Sequence, residues 1–179
     1  MIEPGASEDP QILVVDTGVA AKWYLNEDLE EEAARLLDAG ERGEARLLAP
    51  DPIAAEFFNV LWQHHVGHRG RARPLSLEEV NDYWREFLRA PMELFRAAPL
   101  TRRAAEIVFD TGVIVYDALF LALAEFGEAV LITADERTIL KRIEGTPYEP
   151  LGTRLAGVDA LLARNRRQAG DDENGEGEA

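Results

Sequence analysis

Four acidic residues stand where a folded chain could gather them. Asp16 directly follows the apolar run Gln11-Ile12-Leu13-Val14-Val15, and Asp135 follows Ala129-Val130-Leu131-Ile132 after Thr133 and Ala134. Asp117 opens the apolar stretch Ala118 to Ala124, and Glu56 lies within the segment Pro52 to His65. Taken singly, Asp117 and Asp135 read as helix caps, since a carboxylate at a helix start accepts free amides and suits the dipole. Asp16, at the end of a strand, has no comparable use. As a set the four point to chemistry. Two carboxylates about 4 Å apart repel by about 4 kcal/mol at an effective dielectric of about 20, so a cluster needs protons or a cation. All-oxygen ligands favour Mg²⁺ or Mn²⁺ over zinc. Such a site, without a protein nucleophile, suits phosphodiester or phosphoryl cleavage by an activated water.

The elements that must position these acids follow from periodicity. Residues 1–10 read as a frayed polar leader. The strand ending at Asp16 leads to a short helix, Val19 to Leu25. Asn26-Glu27-Asp28 caps a second helix, Leu29 to Ala39. Arg46 to Ala49 is a second strand, and Pro52 to His65 a third helix. On that helix Glu56 falls about 40° from Val60, at the border of an apolar arc of Ile53, Phe57, Val60 and Leu61. It is therefore half-buried, with Asn59 one turn on along the polar flank. Ser76 and Glu79 form a capping box for a helix to Ala90, with Val80, Tyr83, Trp84, Phe87 and Leu88 inward. Met92 to Phe95 is a short strand and Leu100 to Asp110 a helix.

Val113 to Tyr116 reads as a strand end before the buried helix opened by Asp117, which Gly127 stops. Ala129 to Ile132 is a buried strand, followed by an exposed helix from Glu136. Tyr148 to Leu151 is a last edge strand, Gly152 to Arg164 a terminal helix, and residues 165–179 a disordered acidic tail. Strands alternating with helices predict one α/β domain over residues 11–164, a three-layer sandwich around a parallel sheet of four to five strands. Ligands of such sheets gather outside the carboxyl ends of the strands, where three of the four acids fall.

Composition narrows the function. The chain has 179 residues and no cysteine, which excludes disulfides, a thiol nucleophile and cysteine-based zinc sites. Neither a signal peptide nor a run of about 20 apolar residues is present, so the expectation is a soluble cytoplasmic protein with no membrane association. The net charge of -15 argues against simple electrostatic nucleic-acid binding. A local basic patch, His64 to Arg73, offers Arg69, Arg71 and Arg73 as contacts for an RNA backbone. His64 and His68 are spaced for zinc on a helix, but no third ligand is placed, and a solvated helix end is the plainer reading. Asp16-Thr17-Gly18 and Asp110-Thr111-Gly112 both spell the aspartic-protease triplet, yet helical patterning follows each, unlike that all-β fold. Trp23, Trp62 and Trp84 sit among apolar residues at helical spacing and suit core or dimer packing better than base stacking.

The segments VVDTGVAAKWYLNED, AAEFFNVLW, VYDALFLALAE and ITADERTIL, in this order, resemble the four motif blocks of PIN-domain ribonucleases, in particular VapC-type toxins of toxin–antitoxin pairs. The resemblance spans roughly Ile12 to Leu151. It implies a parallel-sheet α/β fold and a Mg²⁺- or Mn²⁺-dependent endoribonuclease acting on RNA. It also implies a homodimer held inactive by a small antitoxin protein. By position, Asp16, Glu56, Asp117 and Asp135 look like the catalytic acids, with Asp16, Asp117 and Asp135 as metal ligands. Thr133 resembles the hydroxyl that accompanies the last block, and Asn59 the polar residue after the helix acid. Where the family often places a serine or asparagine two residues after the first acid, this chain has Gly18, leaving Thr17 to supply a hydroxyl. An alternative reading is therefore a PIN-like domain without turnover that binds protein or RNA, and a third is a phosphatase on the same acids.

Overall fold

The computed structural model describes residues 10–67 and 74–163. The leader, the tail, His68 and the three arginines Arg69, Arg71 and Arg73 lie outside the described residues. Five parallel strands form one sheet: β1 (Gln11–Val15), β2 (Ala45–Pro50), β3 (Met92–Phe95), β4 (Val130–Thr133) and β5 (Gly152–Arg154). Their order is β3-β2-β1-β4-β5, with Leu13 paired to Leu47 on one side and to Val130 on the other. Leu13, Val14 and Val15 of the central strand are fully buried, as a strand covered on both faces requires. The helices are α1 (Thr17–Lys22), α2 (Glu30–Glu41), α3 (Ile53–His65), α4 (Leu77–Phe87), α5 (Thr101–Thr111) and α6 (Val115–Phe126). This is the helix-flanked α/β sandwich read from the sequence. Seven consecutive residues of α6, Ala118 to Ala124, are buried, so it runs through the core beside the sheet.

Several boundaries differ from the sequence reading. Helix α1 starts two residues early, at Thr17, which turns Asp16 into its N-cap. Val113 to Tyr116 is no strand end: Gly112, at φ 72°, closes α5 in the left-handed region, and α6 begins at Val115. Only Val113 of that apolar run is buried, whereas Ile114, Val115 and Tyr116 are exposed. The edge strand lies at Gly152–Arg154, after a 3-10 turn at Glu149–Leu151 that contains Pro150. A Cβ at Gly152 would fall 2.9 Å from the terminal methyls of Ile143 and Leu140, so a side chain there would require those methyls to shift. The terminal helical stretch covers only residues 158–163 of the described part. No single helix among the described residues is long and apolar enough to cross a membrane.

Helix α3 is seated by an aromatic stack. Phe57 is fully buried, with its ring 4.3 Å from that of Phe87, nearly parallel, and 5.5 Å from Tyr24 at a steep angle. Trp84 stacks on both phenylalanines. The α4 rings are thus occupied within the molecule, while Leu88, read as inward, is exposed. The capping box holds as read: the Ser76 hydroxyl accepts from the Glu79 amide, and the Glu79 carboxylate accepts from the Ser76 amide. Because Phe57 fixes the rotation of α3, it also fixes the neighbouring Glu56. Phe57→Ala is expected to cost about 3–5 kcal/mol in urea denaturation, from lost burial plus the cavity left behind. A loss below about 1 kcal/mol would show that the stack does not seat α3.

Candidate active site at the carboxyl ends of β1 and β4

The order of the strands reverses between β1 and β4, which opens a crevice at their carboxyl ends. Asp16 is the first residue after β1, and Asp135 comes two residues after β4. Asp16, Glu56, Asp117 and Asp135 line one cleft of about 360 Å³, together with Thr17 and Asn59. All six residues singled out there by the sequence are brought together, and Thr133 lies immediately behind them. A larger hollow of about 780 Å³ beside β5 contains none of the four acids.

Asp16 is 5% exposed, and both of its oxygens are engaged. Oδ1 accepts from the Val19 amide at 2.6 Å, and Oδ2 accepts from the Thr133 hydroxyl. Burial pushes its pKa up to about 6, with the Thr133 and Val19 hydrogen bonds working against the rise. Thr133 is fully buried, and its oxygen also accepts from the Asp135 amide at 2.9 Å. One hydroxyl thereby joins the end of β4 to the end of β1. Asp135 caps the helical stretch Glu136–Leu140: Oδ1 accepts from the amides of Arg137 and Thr138, and Oδ2 from the Thr138 hydroxyl.

Asp117 is not a cap. Ile114 holds that position, and Asp117 sits within the first turn of α6. Burial, followed by the charges of Asp135, Asp16 and Glu56, pushes its pKa up to about 6. Glu56 is half-buried, as its place on the helix foretold. Its Oε2 accepts from the Thr17 hydroxyl at 2.5 Å, and burial pushes its pKa upward. Its Oε1 is buried with no hydrogen-bond partner among the described residues. The cap reading thus fits Asp16 and Asp135 and fails for Asp117, so the strand-end aspartate has a local use after all. Gly18 lines the cleft, and a Cβ there would lie 3.4 Å from Asp16 Oδ1, an ordinary contact. Thr17 takes the hydroxyl role instead, toward Glu56.

Glu27 also lines the cleft, and the sequence reading passed over it as part of a capping cluster. It lies in the irregular connection between α1 and α2, where periodicity carries no signal. His64 differs as well. It is 2% exposed, with Nε2 3.4 Å from Glu27 Oε1, and is no solvated helix end. Asp110 of the second protease-like triplet accepts from the Tyr148 hydroxyl at 2.6 Å and is not part of the cleft. Among the described residues no three Asp, Glu, His or Cys side chains converge into a ready-made ion site. The carboxylates line the cleft without sharing one coordination sphere. The donor set is oxygen throughout, and the unpaired Glu56 Oε1 and the raised pKa values of Asp16 and Asp117 fit a cation between them.

The profile of the PIN-domain family matches residues 13–145, which holds every one of these side chains. The chain belongs to the PIN-domain family. Ribonuclease VapC3 of Pyrobaculum aerophilum is 31% identical over 125 residues, spanning 70% of this chain and 90% of that one. Among solved structures, PAE2754 from Pyrobaculum aerophilum superposes with a TM-score of 0.58 at 20% identity, covering 88% of this chain and 98% of that one. A toxin–antitoxin complex from Klebsiella pneumoniae gives 0.55 at 13% identity, covering 80% and 97%. At those identities the two structures speak for the fold of this PIN domain alone.

The raised carboxyls make a signed prediction. A carboxylic acid whose folded pKa lies above its unfolded value near 4 stabilises the fold at low pH and loses that contribution as pH rises through the folded value. In chelator, Asp117→Asn should therefore be more stable than wild type above pH 6 and differ little from it at pH 4.5. After allowance for solvent screening at its exposed edge, the difference is about 1–2 kcal/mol. Thermal unfolding of both proteins from pH 4.5 to 8 measures it. A gap that does not vary with pH would contradict the assigned repulsion.

Proposed function

We propose that this PIN-domain protein is a Mg²⁺- or Mn²⁺-dependent endoribonuclease, the toxin of a toxin–antitoxin pair. The observation that carries the reading is the cleft itself: four carboxylates in one crevice, two with pKa pushed up to about 6, and no cationic side chain among the described residues that line it. Such a site carries charge that a divalent ion would match. The name of the Pyrobaculum relative, a ribonuclease, supports RNA as the substrate. The Klebsiella neighbour, a toxin–antitoxin complex, supports a small antitoxin as partner. An exposed apolar row of Phe58 and Trp62 on α3 and Val66 just past its end adds a surface suited to a protein partner, the antitoxin or a second copy in a homodimer.

Asp16, Asp117 and Asp135 would hold the ion, with Glu56 beside them. Bound there, Mg²⁺ or Mn²⁺ would supply charge stabilisation to the phosphate and lower the pKa of the attacking water. The chain's own residues do the rest. Thr133 and the Val19 amide hold Asp16 in one orientation, and the Asp135 cap contacts do the same for the other strand end. Thr17 pins one oxygen of Glu56, so that the unpaired Oε1 is the atom that takes a proton from the attacking water. Asn59 presents an amide at the cleft to a phosphate oxygen or a ribose hydroxyl. Arg69, Arg71 and Arg73 are proposed to meet the RNA backbone, local cations on a chain of net charge -15.

Incubating total RNA and tRNA with Mg²⁺ or Mn²⁺ tests the reading. Cleavage should stop on chelation and fall at least about 100-fold in Asp117→Asn. Cutting that survives both changes would refute the mechanism. Absence of cutting, with Mn²⁺ still bound, would move the protein to the binding-module reading.

A further inference from the structure

Beside the four acids sits a lysine that nothing in the mechanism above uses. Lys22 is the last residue of α1, the helix whose first end Asp16 caps, and its neighbour Ala21 lines the cleft. The six residues of α1 span about 9 Å, so Lys22 starts within reach of the acid cluster. Its side chain is only 11% exposed. An ammonium withdrawn from water to that degree needs a matched negative charge close by. Its Nζ lies 3.2 Å from Glu27 Oε2, and Glu27 is itself a wall of the cleft. The other oxygen of Glu27 faces His64 Nε2 at 3.4 Å, two turns beyond Glu56 on α3. One carboxylate, from a loop without regular structure, thus joins the end of α1 to the buried side of α3.

The chemical consequence comes from competition. A lysine on a four-carbon stem can turn toward any carboxylate within reach, and four stand at the other end of its helix. A lysine seated among them would occupy the place of the divalent ion. We propose that Glu27 is a positioning residue of this site: it serves as the dedicated counter-ion of Lys22 and keeps the ammonium off the four acids, leaving them free for a divalent cation. His64, packed against the second oxygen, fixes the direction of the Glu27 carboxylate. Consistently, Lys22 acts on Asp16 only as the last and weakest of the influences on its pKa, well behind burial and the Thr133 hydrogen bond. The inference rests on the metal-site reading of the cleft, and its test separates the two.

Mn²⁺ binding, followed by the electron-paramagnetic signal of the free ion, is measured for wild type, Glu27→Gln, Lys22→Met and the double variant. Binding by wild type that is lost in Asp117→Asn upholds the metal-site reading, and no binding, or binding indifferent to Asp117→Asn, refutes it independently of Glu27. If Glu27 restrains Lys22, Glu27→Gln should weaken Mn²⁺ binding about tenfold, by releasing a cation into the cleft. Lys22→Met should bind at least as tightly as wild type. The double variant should return to within about twofold of wild type, a recovery that also excludes misfolding as the cause of the single loss. Two results would overturn the proposal. Equal weakening in Glu27→Gln and in the double variant would make Glu27 an ion ligand in its own right. Unchanged affinity in Glu27→Gln, with only a lower melting temperature, would leave the pair a structural ion pair.

Discussion

The structure depends on holding like charges together at the end of a buried sheet. Burial, with the charge of Asp135 beside both and those of Asp16 and Glu56 beside Asp117, pushes the pKa values of Asp16 and Asp117 up to about 6. Left to solvent, such groups would separate. Here two of the four cannot, because Asp16 and Asp135 are each tied to backbone amides at the start of a helical segment. The repulsion persists as a standing demand for positive charge.

Meeting that demand without collapse is the task of a few hydroxyls and of the core. Thr133 donates to Asp16 and accepts from the Asp135 amide, so the two strand ends move as one. Thr17 holds one oxygen of Glu56, and the Phe57 stack with Tyr24, Trp84 and Phe87 sets the helix that carries Glu56. Burial of apolar surface in α6 and β1 thereby supplies the stability against which the charged cleft is maintained. Neutral donors serve this purpose better than basic side chains would. They orient carboxylates without cancelling the negative charge of the cleft.

Under the proposed function, a strongly acidic protein must meet a polyanionic substrate. With a net charge of -15, long-range attraction does not bring RNA to the cleft. On that proposal, a divalent ion held by the acids would reverse the local sign and confine recognition to the site itself.

Much of this was legible in the chain. The apolar run ending at Asp16, the buried stretch after Asp117, the run before Asp135 and the helical arc that half-buries Glu56 are periodic signals, and periodicity reports which face is inside. Thr133 and Asn59 came with the motif blocks that frame the acids. The sequence was misleading where apolar character did not mean burial, as at Ile114 to Tyr116, where three side chains face solvent. It was silent where a residue acts from an irregular loop. Glu27 has no pattern of its own, and His64 looked like a surface residue until Glu27 and the packing of α3 enclosed it. Local propensity and hydrophobic period thus determined the elements and the acids at their ends. Tertiary packing alone decided which of those acids share a cleft and that His64 is enclosed beside Glu27, because these depend on contacts between segments far apart in the chain.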